Sequence, residues 1–172
     1  MNYAAIKKTD VANGPGVRVS LFVSGCTHHC KGCFNAETWD FSYGKPFDSE
    51  AEAEIFKALD HSYIRGFSLL GGEPFEEANR KVLAGLLKRI KERFPQKDIW
   101  CYSGYTFDDD MLSWVKKGSK DTEEMLSSID VLVDGEFVEA KKNLRLPFRG
   151  SENQRIIDVP QSLKEEKVVI KI

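Results

Sequence analysis

Long apolar stretches are missing from this 172-residue sequence. The run Val17–Val23 is broken by Arg18 and Ser20 and falls far short of the roughly 20 residues that a membrane helix needs. No bilayer-spanning segment is expected. A charge excess of one sign is missing too: 25 Lys and Arg stand against 27 Asp and Glu, for a net charge of -2. A general nucleic-acid binder would show a basic excess, so polyanion binding is not expected. Met1–Asp10 holds Lys7, Lys8 and Asp10 with no apolar segment ahead of a small-residue cleavage site, so no secretory signal is expected and the chain reads as cytoplasmic. There is no internal repeat, no low-complexity tract and no Pro/Gly/Ser linker. The expectation is one domain spanning residues 1–172. Cysteines number only four, and in a reducing compartment clustered cysteines serve as metal ligands or redox groups more readily than as disulfides.

What is present is enough apolar residue, 41%, for a sizeable core. Val17–Val23 follows the turn-rich Asn13-Gly14-Pro15-Gly16 and has the β-branched and aromatic content of a strand. Ser49 with Glu52 resembles a capping box, and Ile55, Phe56 and Leu59 supply the apolar face of a short helix. Gly66–Leu70 reads as a strand ended by Gly71-Gly72. Val82, Leu83, Leu86, Leu87, Ile90 and Phe94 recur at helical spacing before Pro95. Asp98–Ser103 reads as a strand and Asp108–Lys117 as a helix. Asp121–Ser128 reads as a further helix entered through Asp121 or Thr122. Ile129–Val133 is a buried strand, with short strands expected at Arg155–Val159 and Val168–Ile172. Alternation of strand and helix points to parallel βα units. The expected fold is α/β, with about five or six mostly parallel strands, too few for a closed eight-fold barrel of about 250 residues. An open, partial βα barrel or a small twisted sheet fits.

Chemistry concentrates directly after the first of these strands, where Cys26, Cys30 and Cys33 lie within eight residues. Short spacers let successive sulfurs converge on one centre while Gly25 and Gly32 relax the backbone. Three ligands leave one position open, as a catalytic metal centre requires, and in a cubane iron-sulfur cluster the fourth iron would be free. Two other readings stand beside this one. His28 or His29 could complete a zinc site, though zinc-module spacing is absent, or the three thiols could be unrelated. Cys101, between Trp100 and Tyr102 on an expected strand, reads as a core residue. His28 and His29 read as exposed loop residues, not ligands.

Cys26-x3-Cys30-x2-Cys33 resembles the signature of radical S-adenosylmethionine enzymes, and Gly71-Gly72-Glu73-Pro74 is similar to their Gly-Gly-Glu-Pro motif. Further segments extend the likeness: Asn13–Gly16, Trp39, Trp100–Thr106, Val133–Phe137, and Arg149-Gly150-Ser151 with Asn153-Gln154. Together they resemble, over about residues 1–160, the family of anaerobic (class III) ribonucleotide reductase activators. Many members of the wider superfamily carry an aromatic residue just before the third cysteine. Here Gly32 precedes Cys33 and Phe34 follows it, a pattern shared by the reductase activators, which leaves the adenine contact open.

The resemblance implies a [4Fe-4S] cluster on Cys26, Cys30 and Cys33, with S-adenosyl-L-methionine chelating the fourth iron. It implies reductive cleavage to a 5'-deoxyadenosyl radical that takes an α-hydrogen from one glycine of the reductase large subunit. A reduced flavodoxin or ferredoxin-type donor would supply the electron. The cofactor-binding residues it implies are Gly32, Cys33, Phe34, Gly71, Gly72, Glu73, Ser103, Asp134 and Asn153. Gly71 and Gly72 would let a ligand approach the backbone, and Glu73 would fix that loop rather than act as an acid. Asp134 and Ser103 suit a turn or cap role as readily as a ligand role. Lys141, Lys142, Arg145 and Arg149, interleaved with Leu144, Leu146 and Phe148, form a solvated face or a docking edge. Because a partial barrel cannot enclose its substrate, a macromolecule would have to cover its open side. The competing readings are a small-molecule radical S-adenosylmethionine enzyme of the deazaguanine-synthase type, and a non-catalytic iron-sulfur or zinc adaptor.

Overall fold

A computed structural model describes all 172 residues. In chain order the strands are β1 (Asn2–Asp10), β2 (Val17–Val23), β3 (Lys45–Pro46), β4 (Ile64–Gly71), β5 (Asp98–Ser103), β6 (Val131–Asp134) and β7 (Arg155–Asp158). The helices are α1 (Ser49–Leu59), α2 (Glu77–Arg93), α3 (Leu112–Lys116), α4 (Lys120–Ser128) and α5 (Val159–Glu165). The strands form one open seven-stranded sheet in the order β3-β1-β2-β4-β5-β6-β7. Its centre, β2-β4-β5-β6, is parallel throughout, whereas β1, β3 and β7 pair antiparallel at the two edges. The expectation of mostly parallel strands therefore holds for the centre only. No helix is long and apolar enough to cross a membrane.

The sheet has seven strands where about five or six were expected. Asn2–Asp10, to which no element was assigned from the sequence, is a nine-residue strand. Its residues Lys7 and Lys8 are exposed, which masks the alternation on a strand near the sheet edge. Val168–Ile172 is not a strand; one isolated bridge, Ile157 to Ile170, joins it to the sheet.

Helix boundaries moved for local reasons. Asp48, not Ser49, caps α1 by accepting from the Ala51 amide, so the Ser49–Glu52 box does not form. Ser119 caps α4 by accepting from Thr122 N–H. Asp158 ends β7 and caps α5. The helix expected over Asp108–Lys117 is split. Phe107–Met111 makes a wide π turn before α3, in which the Asp110 carboxylate accepts from the amide and hydroxyl of Thr106.

Period-two alternation divides each central strand between two faces. One face sends Val19, Leu21, Phe67, Leu69, Ile99 and Leu132 into a core with Ile55 and Leu59 of α1, Leu83, Leu87 and Ile90 of α2, and Met125 of α4. Cys101 lies in that core with no exposed surface, as expected. The opposite face carries Trp100, Val131, Val133 and Ile156 under Phe148, and toward β2 it turns polar.

There the fully buried Arg18 donates from Nε to Ser68 Oγ at 2.7 Å and from its two Nη groups to the carbonyls of Pro15 and Phe67, each at 3.0 Å. It also meets Asp98 at 2.6 Å. One guanidinium thus joins β2, β4, β5 and the turn before β2. Because β2, β4, β5 and β6 run the same way, their C-terminal residues Val23, Gly71, Ser103 and Asp134 come out at one edge, the edge at which ligands of open α/β sheets bind.

Replacing Arg18 with Met should cost about 2–3 kcal/mol, seen as a lower urea midpoint. It removes a donor from Ser68 Oγ and from the carbonyls of Pro15, Phe67 and Asp98, while the partly exposed Asp98 carboxylate can rehydrate. An unchanged midpoint would show that the buried guanidinium contributes nothing net.

Candidate functional site

Beyond Val23 the chain turns out of the sheet at Ser24-Gly25 and closes on itself. Gly25 N–H donates to Thr38 O at 2.7 Å and Cys26 N–H to Trp39 O at 3.1 Å. Gly25 has φ of 100°, and a Cβ there would stand 2.3 Å from the Phe41 ring. Within this loop Cys26 is buried while Cys30 and Cys33 are half-buried, and none is in a disulfide. Cys33 N–H donates to Cys30 O at 3.1 Å, making the second spacer a tight turn.

All three cysteines line one cavity of about 610 Å³, together with Gly71, Gly72, Glu73, Ser103 and Phe34. Burial pushes the Cys26 thiol up to about 11 and raises that of Cys30. Both are protonated at neutral pH in the metal-free chain, so binding iron must displace their protons. No three His, Cys, Asp or Glu side chains are grouped as ligands of a single ion.

The Gly-Gly-Glu-Pro loop lies directly against the start of the cysteine loop. Gly72 N–H donates to Val23 O and Glu73 N–H to Gly25 O, both at 2.8 Å. A Cβ on Gly71 would stand 2.5 Å from Val23 N, and one on Gly72 would stand 2.6 Å from Gly25 O. The glycines are thus required by close approach of the chain's own backbone, and both line the cavity. Glu73 is 1% exposed. Its Oε1 accepts from Phe75 N–H at 2.9 Å and Ser103 Oγ at 2.7 Å, and its Oε2 accepts from Gly104 N–H at 2.7 Å. A carboxylate so engaged fixes the loop, as expected.

His28 is not the exposed loop residue that was expected. Its side chain is 9% exposed, with Nδ1 2.9 Å from Glu136 and Nε2 3.2 Å from Glu73 Oε2. The Glu73 contact, helped by Glu136, outweighs burial and lifts the imidazole to about 9. His29 is exposed and stacks on Trp39 with ring centroids 4.5 Å apart. Sequence reasoning also missed Glu76, whose carboxylate accepts from the amide and hydroxyl of Thr27 at 2.8 and 2.6 Å. It missed Asn79, which donates to the carbonyls of Ser24 and Glu73. Their only sequence signal is a position just after Gly-Gly-Glu-Pro.

Of the remaining candidates, Ser103 is buried and lines the cavity. Phe34 lies at its rim, 59% exposed, against Phe137 at 5.3 Å. Gly32, Asp134 and Asn153 lie beside the cavity, outside its lining. Asp134 has no exposed surface, and its carboxylate accepts from Phe107 N–H at 2.7 Å and from Arg155 at 2.9 and 2.6 Å. The turn-and-cap role is the one the geometry fills. Asn153 donates to Glu136 O at 2.8 Å, while its Oδ1 is buried without a partner. Gln154, not singled out as strongly, does line the cavity and clamps Gly135 and Gly150. From the basic stretch, Leu144, Leu146, Phe148 and Arg149 line the cavity.

The donor set suits an iron-sulfur group: three free thiols belong to residues lining one cavity, and the buried Trp39 Nε1 and Tyr102 hydroxyl are left without partners in residues that line the same cavity. Desolvated polar atoms of that kind call for a polar occupant.

A family model described as a 4Fe-4S single cluster domain matches residues 12–157. The chain is 42% identical over 158 residues to the anaerobic ribonucleoside-triphosphate reductase-activating protein of Pasteurella multocida, covering 91% of this chain and 96% of that one. The protein of the same name from Enterobacteria phage T4 is 42% identical, covering 91% and 93%. That from Escherichia coli K12 is 40% identical over 156 residues, covering 90% and 96%.

In the metal-free protein, Glu73→Gln should move the His28 titration down from about 9 toward the unperturbed 6.5, read by NMR of the ring. Since the folded value is raised, this contact adds stability that is full below about 6.5 and fades as pH rises through about 9. An unmoved titration would show that Glu73 is not the dominant partner.

Proposed function

The chain belongs to the family of anaerobic ribonucleoside-triphosphate reductase-activating proteins and carries its 4Fe-4S domain, and from that footing we propose that it is a radical S-adenosylmethionine activase generating a glycyl radical. The observation that carries this reading is the shared cavity wall: the three cysteines and the Gly71-Gly72-Glu73 loop face the same space at the C-terminal edge of the parallel strands. When bound, the cluster would supply one low-potential electron for reductive cleavage of S-adenosyl-L-methionine to methionine and a 5'-deoxyadenosyl group able to take an α-hydrogen from a glycine of the reductase.

The chain's own part is to hold and to exclude. Cys26, Cys30 and Cys33 would hold three irons as thiolates and leave the fourth for the cofactor. Burial of Cys26 keeps that thiol neutral until iron displaces its proton. The Glu73 carboxylate keeps the Gly-Gly-Glu-Pro loop rigid beside the cysteines, so that the cofactor's polar end meets a preorganised edge. Trp39 and Tyr102 line the same cavity, and their Nε1 and hydroxyl are buried without partners. Phe34 and Phe137 pack over the mouth, and Lys142 lies 5.3 Å from the Phe34 ring.

In this reading the sheet is a single-domain partial βα barrel of the radical S-adenosylmethionine type, working in the cytoplasm. It stays open along one side, and the reductase covers that side when its glycine loop enters. The exposed Lys31, Lys141, Lys142 and Arg145 form a basic rim suited to a small acidic one-electron donor such as flavodoxin or a ferredoxin.

Anaerobic mixing with the reductase, S-adenosylmethionine and dithionite should give a glycine-centred doublet in electron paramagnetic resonance, together with 5'-deoxyadenosine. Cys30→Ala should reduce both to background. An intact cluster that releases no 5'-deoxyadenosine, or a Cys30→Ala variant that still forms the doublet, would overturn the reading.

A further inference from the structure

His28 sits midway between Cys26 and Cys30 in sequence, and its ring occupies a slot built from three strand exits. Sheet order places β5 between β4 and β6. The ring lies over the exit of β5, against Tyr105 with centroids 4.3 Å apart. A Cβ on Gly104 would stand 2.7 Å from the ring, so a larger residue there would displace the ring. Glu73, just beyond β4, lies 3.2 Å from Nε2 in an ionic contact that is not aligned as a hydrogen bond, and Glu136, just beyond β6, is hydrogen-bonded to Nδ1 at 2.9 Å. An imidazole presents two nitrogens in diverging directions and can face both carboxylates at once. An amide side chain cannot do so with comparable reach.

We propose that His28 is a positioning residue: bridging Glu73 and Glu136 across the end of β5, it pins the Cys26–Cys30 arc to the Gly-Gly-Glu-Pro loop and so fixes the cluster thiols relative to the edge that receives the cofactor. The inference rests on the functional reading above for its consequence, but the pinning itself is a property of the metal-free chain. It follows that the arc's order depends on two carboxylates from distant parts of the sequence. Glu73 is inside and already held by other donors. Glu136 is largely exposed, its side chain 57% accessible, and its contact is the releasable half of the bridge.

The test uses the full chain. Metal-free wild type, His28→Ala, His28→Gln and Glu136→Ala are treated with iodoacetamide, and labelling of each cysteine is followed by mass spectrometry. Cys26 is nearly buried and Cys101 fully so, which makes Cys101 an internal reporter of global unfolding. His28→Ala should label Cys26 about tenfold faster, the effect on a local opening equilibrium of losing the Glu136 hydrogen bond and the Glu73 contact together, with Cys101 still protected. His28→Gln, which keeps a donor toward one carboxylate, should fall between. If Cys101 of His28→Ala also reacts, Glu136→Ala decides, because its exposed side chain supports no core: faster Cys26 labelling supports the bridge, and wild-type labelling overturns it.

After reconstitution, the concentration of S-adenosylmethionine needed to change the resonance of the reduced cluster should rise in His28→Ala at equal iron content. Unchanged Cys26 labelling with an unchanged cofactor titration would overturn the proposal. Should the wild-type cluster not respond to S-adenosylmethionine at all, the functional reading fails, and the labelling alone still judges the role of His28.

Discussion

The carboxylate of Glu73, 1% exposed, is the constraint on which the site depends. A charge removed from water costs several kcal/mol unless its lone pairs are met by donors. Here the donors come from Phe75, Ser103 and Gly104, with His28 in ionic contact. Meeting that demand forces the turn after β4 to lie against the exit of β5, and brings the cysteine loop over both. The glycines at 71 and 72 accompany it, since a Cβ on Gly71 would meet the β2 backbone and one on Gly72 the backbone of the cysteine loop. Glu76 and Asn79 extend the same logic one helical turn on, holding Thr27 and Ser24 at the root of the cysteine loop.

This arrangement separates two tasks that the sheet performs on its two faces. The helix-covered face is apolar and carries the cohesion of the fold. The other face is partly polar and covered by the segment around Phe148 and by the turn before β2, so the cavity is bounded by loops rather than by a closed wall. A site of that form is suited to a large partner, which can supply the missing wall. In the functional reading, water is kept from a radical only while that partner is in place.

Much of the architecture was legible because period-two strands alternated with amphipathic helices, and that pattern is a property of the central strands. Cys101 was legible as core for the same reason, lying among apolar neighbours on β5. The edges were harder to read. The lysines of β1 hide its alternation, and Val168–Ile172 has the composition of a strand but makes only an isolated bridge. Caps slipped by one or two residues where two adjacent polar groups competed, as at Asp48 and Ser49. In the site, the three cysteines were visible through short-range spacing, and Glu73 through the likeness of Gly71-Gly72-Glu73-Pro74 to a family motif. The burial of His28 was not, because it is decided by Glu73 and Glu136, which are remote in sequence and become neighbours only through the parallel order of β4, β5 and β6. Likewise Asp134 could not be assigned until Arg155 and Phe107 were seen to occupy its oxygens.

The claim at the centre of this account is that one iron of the cluster has no ligand from the chain and takes the cofactor instead. Electron-nuclear double resonance on the reduced, reconstituted protein with S-adenosylmethionine labelled at the amino nitrogen and carboxylate oxygen tests it most directly. Hyperfine coupling from both labels to the cluster is the predicted result. A fully formed cluster that shows coupling to neither, with a fourth protein ligand in their place, would contradict it.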